Sequence, residues 1–317
     1  MTVSTVTAGV AATAATVTLL VLRWFTRARR QPYPLYGYAG LGILLVAELL
    51  LFRRVEPVTT YFTPIAWTSY LLVVDAAVFA LRGRSRLRSP EASGPREFAS
   101  LAVWSVPLWL IFEAYNWHLQ NWMYVGLPEA LWQQALGSIW SFATIVPALF
   151  ETTDLLLALG LFEKASARGW RFWLGRHNIM VVVGILCLSV PLSVPTEWAA
   201  YLFALVWLGF IFLLEPVNLA RGHDSLLRDV WQDRGQRLYC LMTAGLICGL
   251  LWEFWNYWAG GRWVYIFPIL QDWRVFEMPL PGYLGFPFFA LEFFAMYHFA
   301  AGEVGRLRKP QPAPRKK

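Results

Sequence analysis

The stretch LWEFWNYWAGGRWVYIFPILQDWRVFEMPLPGYLGFPFFALEFF, Leu251–Phe294, sets the carboxylates Glu253 and Glu292 inside two strongly apolar segments joined by an aromatic, almost uncharged loop. A weaker copy stands earlier in the chain: IFEAYNWHLQNWMY carries Glu113, and SFATIVPALFETTDLL carries Glu151. Glu113 and Asn116 precede Glu253 and Asn256 by 140 positions, as Trp67 and Asp75 precede Trp207 and Glu215, while Trp122 and Tyr124 precede Trp263 and Tyr265 by 141. Rare residue types recurring at one offset mean that one unit is used twice. Paired positions then meet across a pseudo-twofold axis, and the four glutamates are expected to converge at mid-membrane.

Composition sets the class. Of 317 residues 57% are hydrophobic and only 15% charged, far from the balance of a water-soluble domain. The expected fold is an all-α polytopic membrane protein. Candidate spans follow the first apolar run (AGVAATAATVTLLVLRWF) at about 36–54, 61–82, 98–118, 139–162, 178–195, 198–219, 238–260 and 281–304. Each is near the ~20 residues that a ~30 Å hydrocarbon layer requires. That makes about nine helices: an N-terminal helix and basic loop within 1–30, a four-helix repeat over 36–162, its copy over 176–304, and a basic Pro-rich tail at 305–317. An even number of helices per unit gives both copies the same orientation, with the axis along the membrane normal.

The net charge of +7 sits mostly in five loop and tail segments, RWFTRARR, LRGRSRLRSPEASGPRE, FEKASARGWRFWLGRH, ARGHDSLLRDVWQDRGQR and GRLRKPQPAPRKK. The positive-inside rule puts all five in the cytoplasm, with the N-terminus outside and the C-terminus inside a cytoplasmic membrane. No nucleic-acid partner is needed to explain the charge. Cys187, Cys240 and Cys248 form no CxxC pair and read as small apolar residues. His118, His177, His223 and His298 stand at helix ends or in loops. The E-x-x-N step puts an amide where a di-iron bundle has histidine. No metal or other cofactor is expected.

A carboxylate at helix centre costs about 2.5 to 3.5 kcal/mol on insertion scales unless it is protonated, paired or hydrated. Glu113, Glu151, Glu253 and Glu292 are therefore candidate catalytic acids. Asp75 and Glu215, near the basic ends of their helices, read as a separate structural pair. Glu and Asn three apart share a helix face, so Asn116 and Asn256 are candidates to orient the acids, or to bond to the opposite glutamate across the axis. Trp122, Tyr124, Trp252, Trp263 and Tyr265 are candidates to line a substrate cavity, although an interfacial aromatic belt accounts for many such residues. Aromatic faces stabilise a cation without offering a nucleophile. Acid and aromatic lining together point to isoprenoid chemistry.

The order of Trp252 with Glu253, Trp263 with Tyr265, Pro279–Gly285, and Pro287 with Glu292, Phe293 and Phe294 resembles the small membrane lycopene cyclases of bacteria, archaea and fungi. A weaker resemblance links the E-x-x-N surroundings to fungal membrane-bound meroterpenoid cyclases. The resemblance implies a cofactor-independent cyclase or isomerase acting on a hydrophobic isoprenoid, such as a carotenoid precursor. Glu253 or Glu113 would then donate the proton, and Glu292 or Glu151 would tune the donor and take the final proton. The chain departs from the pattern in having single carboxylates after the proline and four helices per repeat. Two other readings are a non-catalytic lipid- or pigment-binding subunit of a membrane complex, docked through the outer aromatic loop, and a proton-coupled transporter. The expected clustering of the glutamates at one depth speaks against a relay.

Overall fold

The computed structural model of the chain describes residues 3–89, 94–174 and 176–307. The tail predicted at 305–317 lies outside the described residues from 308 onward. Helices α1 (Val3–Phe25) and α2 (Leu35–Phe52) are followed by α3 (Phe62–Arg82), α4 (Gly94–Leu119), strand β1 (Trp122–Val125), α5 (Leu131–Ala143) and α6 (Ile145–Ala158). After a short helix α7 (Arg168–Leu174) come α8 (His177–Ser193), a single turn α9 (Thr196–Ala199), α10 (Phe203–Arg221), short α11 (Leu226–Trp231) and α12 (Gln236–Trp258). Strands β2 (Arg262–Tyr265), β3 (Arg274–Val275) and β4 (Met278–Pro279), a 3₁₀ turn Leu280–Leu284 and helix α13 (Gly285–Leu307) complete the described chain.

Among the described residues eight helical spans are long and apolar enough to cross a membrane, counting α5 and α6 as one, and α8 is a shorter apolar helix of 17 residues. The chain is an all-α polytopic membrane protein whose only sheets among the described residues are two short two-stranded ribbons. The fifth span differs from its sequence expectation of 139–162: the helix starts at Leu131, inside the segment PEALWQQ expected to lie at the interface. It breaks at Thr144. Pro147 has no N–H for the preceding turn. Ser105 on α4 enters the gap, donating to the Phe142 carbonyl and accepting from the Val146 N–H at 3.0 Å. A side chain inserted in the helical ladder is a recognised cause of a kink.

The duplication is visible in the packing. Helix α2 lies on α3 as α8 lies on α10; α3 lies on α6 as α10 lies on α13; and α6 meets α12 as α13 meets α4. Gly83 and Gly222 end α3 and α10 in the left-handed region, at φ +76° and +73°, a conformation that glycine adopts without Cβ strain. Beyond each cap the chain returns to a carboxylate of the helix just ended. The Ser85 hydroxyl and the Leu87 N–H bond to Asp75, and the Ser225 hydroxyl and the Leu227 N–H bond to Glu215. Asp75 and Glu215 thus anchor loops.

Strands β1 and β2 pair antiparallel, with Trp122 opposite Tyr265 and Tyr124 opposite Trp263. Exchanging each residue for its copy turns one pair into the other. The axis therefore passes through this ribbon, which joins the ends of α4 and α12. Both helices finish at the same face of the bundle, so the repeats run parallel. Arginines gather at the opposite, basic end.

Candidate active site beneath the ribbon

The W-x-Y step of each half is a period-two pattern, so in an extended strand both aromatic rings point to one face. That face roofs a cavity of about 1150 Å³, its open mouth included. Trp122, Tyr124, Trp263 and Tyr265 form the roof; Trp67, Trp109, Trp207, Trp252, Phe286 and Phe289 line it below, with Glu253 among them. Trp67, Trp252, Glu253, Phe286 and Phe289 are all buried. Leu127 and Arg262 are partly exposed and mark the rim, near Tyr61 and Gln133.

Glu253 is fully buried. Its Oε1 accepts a hydrogen bond from the Tyr265 hydroxyl at 2.8 Å, and Trp263 Nε1 donates to that hydroxyl at 3.0 Å. Its Oε2 has no protein partner. The same holds for a buried atom on four other lining residues: Thr63 Oγ1, Trp67 Nε1, Trp122 Nε1 and Arg262 Nε. Buried polar groups without partners are rare in folded proteins, and here five of them surround one cavity.

Glu113 is the copy of Glu253 but does not line the cavity. Both Tyr124, through its hydroxyl, and Trp109, through Nε1 at 2.7 Å, donate to its Oε1. Burial first, and the neighbouring carboxylate second, push the Tyr124 and Tyr265 hydroxyls well above the ordinary tyrosine range. Both tyrosines stay protonated and act as donors.

The expected convergence of four glutamates is corrected. Glu151 lies within electrostatic reach of Asp75, Asp154 and Arg86, and neither of its oxygens has a hydrogen bond. Its neighbour Thr152 meets Cys248 at 3.3 Å. Cys248 is five residues before Glu253 on α12, about 7.5 Å along the helix toward the basic end, so Glu151 is not level with the cavity acid. Nor is Asp75 separate from it. Glu292 is turned to α10, where its Oε1 accepts from the Phe210 N–H at 3.0 Å. Glu253 alone of the four faces the cavity.

The asparagines orient backbone rather than acids. Asn116 Oδ1 accepts from the N–H groups of Asn121 and Trp122, and Nδ2 donates to the Trp122 carbonyl at 2.9 Å. Asn256 brackets Trp263 in the same way, at 3.0 and 2.8 Å. Each tethers its own strand to its own helix, and no bond from an asparagine to the opposite glutamate forms.

All five candidate cavity aromatics do line it. Sequence reasoning passed over Tyr61, Thr63, Trp109, Phe286 and Phe289, and treated Trp67 and Trp207 as repeat markers alone. It also passed over Glu48 in α2, which accepts from Trp255 Nε1 at 3.1 Å. Trp255 packs edge-on against Trp67, so Glu48 braces the cavity wall from behind. A lone carboxylate inside the apolar run LLVAELLLF was the signal. Compared with protein-family models, curated proteins and solved structures, the chain matches none, and its resemblance to the membrane cyclases rests on the sequence motifs alone.

Proposed function

We propose that the protein is a membrane enzyme that performs cofactor-independent acid–base chemistry, a cyclisation or isomerisation, on an unsaturated isoprenoid lipid, with Glu253 as the acid. The observation that carries this reading is the Glu253 carboxyl, on a residue that lines an aromatic cavity: one oxygen is fixed by Tyr265, and the other makes no hydrogen bond within the protein. In the protonated acid the O–H proton passes to an alkene carbon and leaves a carbocation. The faces of Trp67, Trp207 and Trp252 stabilise that charge. A second double bond attacks it, closing a ring, and a proton lost from the adjacent carbon returns to Glu253. Product and substrate have the same composition, and the acid is regenerated. The Tyr265 hydroxyl, itself held by Trp263, steadies the carboxylate formed in between.

The protein sits in the cytoplasmic membrane with the ribbon at the outer face and the basic loops inside, in keeping with loop charge. A second reading, a binding protein for an apolar lipid or pigment, draws support from the engagement of Glu113, Asn116 and Asn256 in holding the ribbon. A proton-coupled transporter draws less support: among the described residues no hydrogen bond links Glu151 or Glu292 to Glu253, Glu292 being bonded to the Phe210 N–H.

The test is mass spectrometry of lipids from cells that accumulate lycopene or other linear isoprenoids and express the wild-type protein, Glu253→Gln or Glu113→Gln. An isomeric product is expected from the wild type, reduced at least about 100-fold by Glu253→Gln, in the range of lost general acid catalysis, and within about three-fold of wild type for Glu113→Gln. No new product from the folded wild type would sink the catalytic reading and leave the binding one.

A further inference from the structure

Helix α5 reads LWQQALGSIWSFA, in which Gln133, Gln134, Gly137, Ser138 and Ser141 recur every three or four residues and so share one face. All five line the cavity. Leu131, Trp132, Leu136, Ile139 and Trp140 are exposed on the face turned to lipid. Two bonds hold α5 against α3: Trp140 Nε1 donates to Thr68 Oγ1 at 2.9 Å, and the Tyr61 hydroxyl donates to the Gln133 carbonyl at 3.3 Å. The start of α3 adds Thr63 to the same lining. A helical hydroxyl can return to the carbonyl four residues before it, as those of Thr68, Ser69, Thr152 and Thr153 do here. The cavity hydroxyls do not. Thr63 Oγ1 is buried without a partner, and among the described residues no hydrogen bond takes up the hydroxyls of Ser138 and Ser141. This row also lacks a cation. Arg262 is the one basic residue of the lining among those described, but alternation along β2 turns its side chain from the face of Trp263 and Tyr265, and its guanidinium lies 3.8 Å from Glu277.

We infer that the ligand is an isoprenoid with an uncharged oxygen function, a hydroxyl or a carbonyl, hydrogen-bonded within the row of Thr63, Ser138 and Ser141 while its unsaturated chain lies among the tryptophans. This rests on the cavity reading proposed above and narrows its substrate class. A hydroxyl both donates and accepts, so the row serves an alcohol as well as a ketone. A pure hydrocarbon would leave these groups desolvated and unpaired. A carboxylate or phosphate would carry a charge into an apolar site with no cation to meet it. The two wrong classes are thus rejected for different reasons, and a site built to bond an oxygen discriminates strongly against the analogue without one.

The experiment compares retinol with its hydrocarbon analogue axerophtene and with retinoate, which share one isoprenoid frame and differ at the end group. Each is titrated into the protein in phosphatidylcholine nanodiscs, and saturable energy transfer from tryptophan to the polyene reports binding. Retinol is expected to bind at least about ten-fold more tightly than either analogue, the size of one or two hydrogen bonds. Thr63→Val, Ser138→Ala and Ser141→Ala together should bring retinol to within about two-fold of axerophtene, and each alone should remove part of the preference. Equal binding of retinol and axerophtene by the wild type would mean that water serves the row; it overturns the inference and leaves the cavity reading standing. So does tightest binding of retinoate, or a preference for retinol that survives the triple substitution. Failure of all three compounds to bind saturably overturns the inference together with the cavity reading.

Discussion

Glu113 and Glu253 occupy equivalent places in the two halves, and each is bonded by the ribbon tyrosine of its own half, yet Glu253 faces the cavity and Glu113 does not. The difference lies one turn away. Trp109, four residues before Glu113, caps that acid with its indole nitrogen and packs among Phe112, Phe142, Phe289 and Phe293. Its copy is Gly249, where an added Cβ would strike the Phe286 ring. One half sets an indole on its acid; the other has a glycine there, and the Phe286 ring packs against it. Duplication supplied two identical frames, and later packing choices made one of them a site.

Three experiments break or sharpen that comparison. The largest effect is expected from exchanging the two residues. Trp109→Ala empties a packed aromatic position and should cost about 3 to 5 kcal/mol in detergent unfolding, with Glu113 left open to the cavity. Gly249→Trp should cost about 1 to 3 kcal/mol by overpacking and eliminate the isomeric product of the wild type. A folded Gly249→Trp protein that forms as much product as wild type would show that the cavity beside Glu253 is not the site.

Next come the asparagines, where the halves are alike. Asn116→Ala and Asn256→Ala each remove a two-sided clamp on a ribbon strand, so each should lower stability by about 1 to 3 kcal/mol, two or three ordinary hydrogen bonds. The two losses should agree within about 1 kcal/mol. A loss confined to one half would show that the ribbon is held from one side.

The smallest effect concerns the basic end, where the halves differ again: Asp224 stands at the position that Arg84 holds in the first repeat. Burial works to raise the Asp224 carboxyl, but Arg237, bonded to both of its oxygens at 2.6 and 2.9 Å, holds it below the ordinary range, with His298 at 4.0 Å adding to the effect. A group depressed on folding stabilises fully above its unfolded pKa and loses that contribution as the pH falls through the folded one. The wild type should therefore exceed Asp224→Asn in stability at neutral pH. The gap should narrow below about pH 4, the ordinary aspartate value. A gap independent of pH would assign the effect to packing.

Spans, repeat and acids were legible because a membrane filters composition: twenty apolar residues, charged loops and a rare carboxylate each stand out along the chain. The ribbon was not read, although W-x-Y occurs at both ends of the comparison, because four residues are too few for a period-two signal to rise above an aromatic loop. The glutamate levels went wrong because the fifth span starts at Leu131 and not near 139, which sets Glu151 about 12 Å further along the helix. Whether PEALWQQ joins the helix or lies at the interface is settled by packing against neighbouring helices. Glu151 was thereby set beside Glu113 when it belongs with Asp75.

By itself, then, the sequence determined an all-α membrane protein built from two copies of one unit, with carboxylates inside it, since hydropathy and repetition are properties of the chain alone. Which carboxylate faces empty space was decided by the tertiary structure. Cavity and filler differ by the meeting of side chains from α4, α12 and α13, and those distances exist only after the helices pack.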